Sequence, residues 1–279
     1  MKLNGYSGCR LEILRTDMNY RVRKSSPSIG YNERLRKQKR KQESLHIGDL
    51  KSCLIYDDGY KEGLYYFIME YINGTTFADY LEKIKLSEIK GTVNKLTSHF
   101  TGFTQKNETA KMVFNKKIQN TLISIHNNSI ININDKELVE AVELLNTYTW
   151  EYVIPSPCHG DMTLENIIVG DDGIYLIDFL DSFYDSWMID AAKFLQDAMC
   201  FWTYRNKTLN INLEVRLLVF KDLCINRILD MRYGKELLNT VYHILLLNML
   251  RILPYTKNED DYFFLKQAIS TINIELRGN

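Results

Sequence analysis

The sequence has no excess of charge of either sign: 35 lysines and arginines face 35 aspartates and glutamates across 279 residues. That balance removes any global attraction to nucleic acid or an anionic membrane, so electrostatic function must be local. Paired cysteines are missing too. Cys9, Cys53, Cys158, Cys200 and Cys224 are scattered, with no CxxC and no Cys/His spacing of a zinc site. Reduced, buried thiols in the cytoplasm are the expectation. The first residues, Met1-Lys2-Leu3-Asn4-Gly5, hold no apolar core of the signal-peptide kind. The longest greasy stretch, 241–253, is broken by His243, Asn248 and Arg251. It is too short to span a bilayer and reads as a buried helix. Repeats and low-complexity linkers are also absent.

Hydrophobic residues make up 45% of the chain, enough for a sizeable core. Leu11–Leu14 and Tyr20–Lys24 alternate like strands, and so do Ser52–Tyr56 and Tyr65–Glu70. Between the last two, Asp57-Asp58-Gly59 and Lys61-Glu62-Gly63 supply turn chemistry. Residues 33–45 are charged helix formers without glycine or proline. From about Thr75 the pattern is mostly helical, with Phe77, Tyr80, Leu81 and Ile84 at helical spacing and 136–148 amphipathic. Strand character returns once. Asn166–Val169 and Ile174–Ile177 flank Gly170-Asp171-Asp172-Gly173, a hairpin signal. The order predicts an α+β fold with two lobes, an antiparallel β-rich one over 1–72 and a larger helical one over 73–279. Tyr71-Ile72-Asn73-Gly74 forms the join.

The most informative segment is Cys158-His159-Gly160-Asp161-Met162-Thr163-Leu164-Glu165-Asn166. Phosphoryl transfer from a nucleotide needs a carboxylate beside the attacking hydroxyl, oxygen ligands for Mg²⁺ and a cation on the phosphates. A loop ending at a strand can place Asp161 and Asn166 on one side of a cleft. The hairpin then returns the chain so that Asp178 arrives beside them.

His159-Gly160-Asp161, Asn166 and Ile177-Asp178-Phe179 together resemble the catalytic and metal-binding loops of aminoglycoside phosphotransferases and choline/ethanolamine kinases, which share the protein-kinase-like fold. The resemblance implies a small-molecule kinase that uses ATP or GTP and Mg²⁺ to phosphorylate a hydroxyl of a sugar, amino alcohol or aminoglycoside-like metabolite. Asp161 is then the catalytic base or orienting carboxylate, and Asn166 and Asp178 are Mg²⁺ ligands, oxygen donors suited to that hard ion. His159 shapes the loop. Gly5, Ser7 and Gly8 cover the phosphates in a turn. Lys24 contacts the phosphates from the third strand. Tyr20, Val22 and Lys24 share one strand face, with Arg21 and Arg23 on the other. A carboxylate on the next helix holds the lysine forward, with Glu43 preferred to Glu33. The basic run 34–41 reads as the solvated face of that helix. Backbone groups around Glu70 and Ile72 bind the base.

On the acceptor side, Glu165, Asp181 and Asp185 are candidate contacts, and Trp187 and Trp202 candidate aromatic surface. Asp190 reads as a helix or loop anchor. Two other classes compete. A non-catalytic nucleotide-binding module is disfavoured by the presence of Lys24, Asp161, Asn166 and Asp178 together. A protein kinase is disfavoured by Gly160, where its catalytic loop usually has Arg. No Ala-Pro-Glu follows Asp178, and only residues 179–189 separate Asp178 from Asp190.

Overall fold

The computed structural model describes residues 2–4, 8–16 and 19–278. The chain forms two compact units, Met1–Tyr80 with His159–Ser182, and Leu81–Cys158 with Phe183–Asn279. The sequence boundary at 72/73 puts the 166–177 hairpin with the helices. The packing puts it with the N-terminal residues.

The first unit is built on a five-stranded antiparallel sheet of β1 (Lys2–Asn4), β2 (Arg10–Arg15), β3 (Tyr20–Ser25), β5 (Ile55–Lys61) and β6 (Leu64–Glu70), in spatial order β1-β2-β3-β6-β5. β6 shows why one face is the core: Tyr65, Phe67 and Met69 are buried and alternate with half-buried neighbours. They pack with Val22, Leu35, Cys9 and Cys53, and Tyr175 joins them from the hairpin. Burial pushes the Cys53 thiol up to about 12, so it stays protonated.

The second sheet is small, in order β4-β9-β8-β7, from β4 (Lys51–Ser52), β7 (Gly74–Thr76), β8 (Ile167–Gly170) and β9 (Gly173–Leu176). β8 and β9 are the expected hairpin, and β9 runs parallel to β4. The strand expected over Ser52–Tyr56 is thus two: the chain leaves β4, crosses at Cys53-Leu54 and joins the other sheet as β5. Asp57-Asp58-Gly59 is not a turn but part of β5, which bulges between Ile55 and Asp57. Asp58 is satisfied in the strand, accepting from the Tyr65 hydroxyl at 2.9 Å and pairing with Lys39 at 3.1 Å. Those two partners hold its carboxyl below the usual carboxylate range. The turn is Glu62-Gly63, both at positive φ (53° and 77°), the geometry of a tight hairpin.

Helix α1 (Asn32–Ser44) packs on β6. Its buried stripe is unusual: one leucine and two amides, Leu35, Gln38 and Gln42. Gln42 Nε2 donates to the Cys53 carbonyl at 2.9 Å. The basic run is not simply solvated. Lys39 pairs with Glu43 and Asp58, and Arg36 lies over the Tyr60 and Tyr65 rings.

The second unit is helical, with α3 (Leu86–Leu96), α4 (Ala110–His126), α5 (Lys136–Thr147), α6 (Trp187–Ala198), α7 (Ile211–Leu229), α8 (Gly234–Ile252) and α9 (Glu259–Gly278); a short α2 (Phe77–Leu81) precedes them. α8 is the greasy helix, and it starts well before residue 241. Its span Gly234–Tyr255 is long and apolar enough to cross a membrane, but 78% of its most apolar window is buried inside the protein. It packs against α6, α7 and α9, as the central helix of a bundle does.

Within that core His243 stacks on Tyr148 at 3.8 Å between ring centroids, and its Nδ1 donates to the Asn239 carbonyl. Burial lowers its pKa to about 4. The unfolded chain therefore takes up a proton between pH 6.5 and 4 that the folded chain refuses. The stability is present in full above pH 6.5 and is lost as pH falls toward 4, by roughly 3 kcal/mol at most. His243→Phe keeps the stack and removes the proton. In urea melts at several pH values, the wild type should lose stability over this window relative to His243→Phe. Parallel curves would show that His243 is charged in the fold.

Candidate active site

Lys24 and Asp178 lie 154 positions apart in sequence, yet Lys24 Nζ is 2.5 Å from Asp178 Oδ1. The two strand faces of β3 explain half of this. Val22 and Lys24 point inward and are buried, whereas Arg21 stacks on Tyr56 at 4.1 Å and Arg23 pairs with Glu12 on the other face. The hairpin explains the other half. Ile177 N–H donates to the Asn166 carbonyl at 3.0 Å, which extends the ladder to the last residue before Asp178. Asp178 then turns into the left-handed region at φ 60°, a conformation that aspartate tolerates better than most residues.

The loop before the hairpin is held from within. His159 is fully buried. Asp161 N–H must donate to His159 Nδ1 at 3.2 Å, so the ring proton is on Nε2, which donates to the Ile177 carbonyl at 2.8 Å. One imidazole thereby bonds both to the N–H of Asp161 and to the carbonyl of the residue before Asp178, and so ties the loop to the end of the hairpin. Asn166 Nδ2 donates to the Asp161 carbonyl at 2.8 Å and to its Oδ2 at 3.2 Å. Asn166 Oδ1 is the atom left to act as an acceptor or ligand.

Gly160 sits at φ 89°, and a Cβ there would lie 2.1 Å from Ser182 Oγ and 3.0 Å from the Leu180 carbonyl. Leu180 N–H donates back to His159 O. The segment after Asp178 therefore runs directly over Gly160, and no arginine can occupy that position. Lys41 of α1 grips the same segment, donating to the Leu180 carbonyl at 3.1 Å and Ser182 Oγ at 3.2 Å. Sequence reasoning missed this lysine within a run that looked solvent-directed.

The amide oxygen of Asn166 and the carboxylate of Asp178 are oxygen donors of the kind a small hard cation takes. Among the described residues no group of three His, Cys, Asp or Glu side chains could hold a metal ion. A pair of one amide oxygen and one carboxylate is not such a group.

Other expected residues are placed differently. Gly5 and Ser7 lie outside the described residues; Gly8 is at φ 73°. Glu43 does not reach Lys24 but pairs with Lys39 at 3.0 Å, and Glu33 lies 3.9 Å from Arg36. The helix side chain on Lys24 is Gln38, at 3.3 Å. Glu33 and Glu43 are each five positions from it, turned about 140° around the helix. The Glu70 N–H donates to the Leu54 carbonyl at 2.8 Å, so a base would be left with the Glu70 carbonyl and Ile72. Ile72 packs on the core with Ile168 and Ile177.

In the first unit Glu165 is half-buried beside Asn166, and Asp181 lies 3.5 Å from Lys37. In the second, Asp185 Oδ1 accepts from Cys158 Sγ at 3.4 Å. Trp187 is fully buried and stacked on Phe100 at 4.5 Å, so it is core and not an acceptor-facing ring. Trp202 has Arg205 over its face at 4.2 Å. Asp190 is buried in the first turn of α6, 3.3 Å from His99 Nε2, while Ser186 caps the helix.

Residues 4–206 match the phosphotransferase enzyme family. No curated protein matches the chain. Among solved structures, an aminoglycoside phosphotransferase in complex with ADP and hygromycin B is similar with a TM-score of 0.64 at 13% identity, over 100% of this chain and 93% of that one. A putative fructosamine-3-kinase from Haemophilus somnus gives 0.62 at 16%, over 98% and 90%. A choline kinase from Streptococcus pneumoniae gives 0.57 at 14%, over 97% and 91%. The α+β fold, with an antiparallel sheet in the N-terminal region and helices in the C-terminal part, is that of the protein-kinase-like phosphotransferases.

Gly160→Ala should destabilise the chain by at least about 1 kcal/mol from its positive φ alone, and displace the segment over it. Adding Ser182→Ala removes the nearest clash but not the backbone strain, so thermal melting should recover only partly. Full recovery would mean that the loop is free to move.

Proposed function

We propose that this chain, which belongs to the phosphotransferase enzyme family, transfers the γ-phosphoryl group of ATP or GTP to a hydroxyl of a small sugar, amino alcohol or aminoglycoside-like metabolite. The observation that carries the reading is the convergence of Lys24 on Asp178, next to a loop in which Asn166 is bonded to Asp161. The Ile177–Asn166 backbone bond links the two pairs, and phosphoryl transfer calls for a cation, a carboxylate and oxygen donors of this kind, which supports the reading. The solved relatives with bound ADP and an aminoglycoside support the pairing of nucleotide with hydroxylated acceptor.

In this reading Lys24 binds the phosphates of the nucleotide. Asp161, half-buried and steadied by the Asn166 amide, orients the acceptor hydroxyl and takes its proton. The acceptor oxygen forms a bond to the γ-phosphorus as the bond from that phosphorus to the bridging oxygen breaks, and the electron pair leaves on the nucleoside diphosphate. Asn166 and Asp178 would hold Mg²⁺, which when bound neutralises charge on the phosphate oxygens. His159 has both ring nitrogens engaged in loop bonds and moves no proton. Five buried cysteines that form no disulfide fit a reducing compartment, and we place the protein in the cytoplasm.

Two sets of variants test this. Nucleoside diphosphate release is followed with a panel of sugars, amino alcohols and aminoglycosides, each with ATP and with GTP. Asp161→Asn should lower kcat by on the order of 10²–10⁴-fold with nucleotide affinity nearly unchanged. If it turns over at the parent rate, Asp161 is not the proton acceptor. Lys24→Ala should lower kcat/KM by on the order of 10²-fold, whereas Arg21→Ala and Arg23→Ala, on the opposite strand face, should change it little. Equal small effects of all three would remove Lys24 from the phosphates.

A further inference from the structure

The helix contact of Lys24 is an amide where a carboxylate was expected, and the amide is built into place. Gln38 is 2% exposed and Lys24 3%, with Oε1 3.3 Å from Nζ. The ammonium has only protons to offer, so the amide oxygen must face it. The amide nitrogen then faces the other way, donating to the Tyr31 hydroxyl oxygen at 3.3 Å. Tyr31 lies two helical turns before Gln38 and packs on the core that contains Leu35, one turn before Gln38. Arg34 sits over its ring at 5.2 Å. The relay Lys24–Gln38–Tyr31 therefore has a fixed polarity and one allowed amide orientation.

This arrangement has an electrostatic consequence. The helix gives Lys24 a dipole but no negative charge. Among the described residues its one acidic partner is Asp178. An almost fully buried ammonium needs an anion close by, because burial without one is costly. Resting on the phosphoryl-transfer reading above, we propose that Gln38 is the positioning residue for Lys24, and that its neutral amide makes Asp178 the resting counter-ion, which Asp178 gives up when it turns to a metal and the nucleotide phosphates take over the lysine. A glutamate at position 38 would supply a second anion and loosen Lys24 from Asp178. The amide makes metal and nucleotide binding interdependent: each removes a partner that the other replaces.

The test uses the full chain and reads binding as well as turnover. Calorimetry with Mg²⁺ and ATP, and with ATP in chelator, is run on wild type, Gln38→Glu, Gln38→Met and Tyr31→Phe, each first checked for a thermal transition. Gln38→Glu conserves shape. It should lower the half-saturating Mg²⁺ by about three- to tenfold and weaken metal-free ATP by a similar factor, as one added charge near the site dictates. Gln38→Met should weaken Mg²⁺–ATP and raise the nucleotide KM more than it lowers kcat. Tyr31→Phe should move the same way by less, since the amide loses the partner that fixes its orientation. Should Gln38→Met not fold, the isosteric glutamate and Tyr31→Phe carry the decision. Unchanged Mg²⁺ dependence in Gln38→Glu overturns the proposal while leaving the phosphotransferase reading intact. Absence of nucleotide binding in the wild type overturns both.

Discussion

The structure of the first unit depends on keeping a buried cation next to an anion. Lys24 is carried into the interior by strand alternation and is almost fully buried there. It must find its charge partner inside, and Asp178 arrives from the far end of a hairpin to supply it. Much of the surrounding architecture serves that meeting. β9 pairs with the short parallel strand β4, β8 pairs with β7, and Tyr175 adds its ring to the core beneath the main sheet. Helix α1 contributes from the other side, through Gln38 on Lys24 and through Lys37 and Lys41 on the segment after Asp178.

The same arrangement accounts for the glycine in the catalytic loop. With residues 180–182 folded back over position 160, the site has no room for a side chain there. His159 completes the construction by bonding the loop to the strand that ends at Asp178. That bond and the Asn166–Ile177 backbone bond tie the loop carrying Asp161 and Asn166 to the strand end that precedes Asp178.

The parts readable from sequence were those in which a local rule and the structure agree. The 166–177 hairpin has glycines at both ends of its turn, and Lys24 follows Val22 by two positions on a strand. Other parts required tertiary information. Asp57-Asp58-Gly59 has turn composition, but Tyr65 and Lys39 satisfy Asp58 within a strand. Gln38 is an amide among charged neighbours on α1 and does not stand out in composition; its helical phase relative to Lys24 is the usable signal. Trp187 looked like acceptor surface because its sequence neighbours are acidic, yet helix α6 turns it into the core against Phe100. At 13–16% identity to the solved relatives, few side chains outside the site need be shared for the fold to be the same.

The chemistry can be observed directly by phosphorus NMR of ATP incubated with the protein, Mg²⁺ and pooled sugars, amino alcohols and aminoglycosides. The account predicts loss of the γ-phosphate resonance matched by ADP and a new phosphomonoester, with no free phosphate in proportion, and no such change with Asp178→Ala. An unaltered ATP spectrum with every acceptor class, from a folded protein that binds the nucleotide, would contradict it.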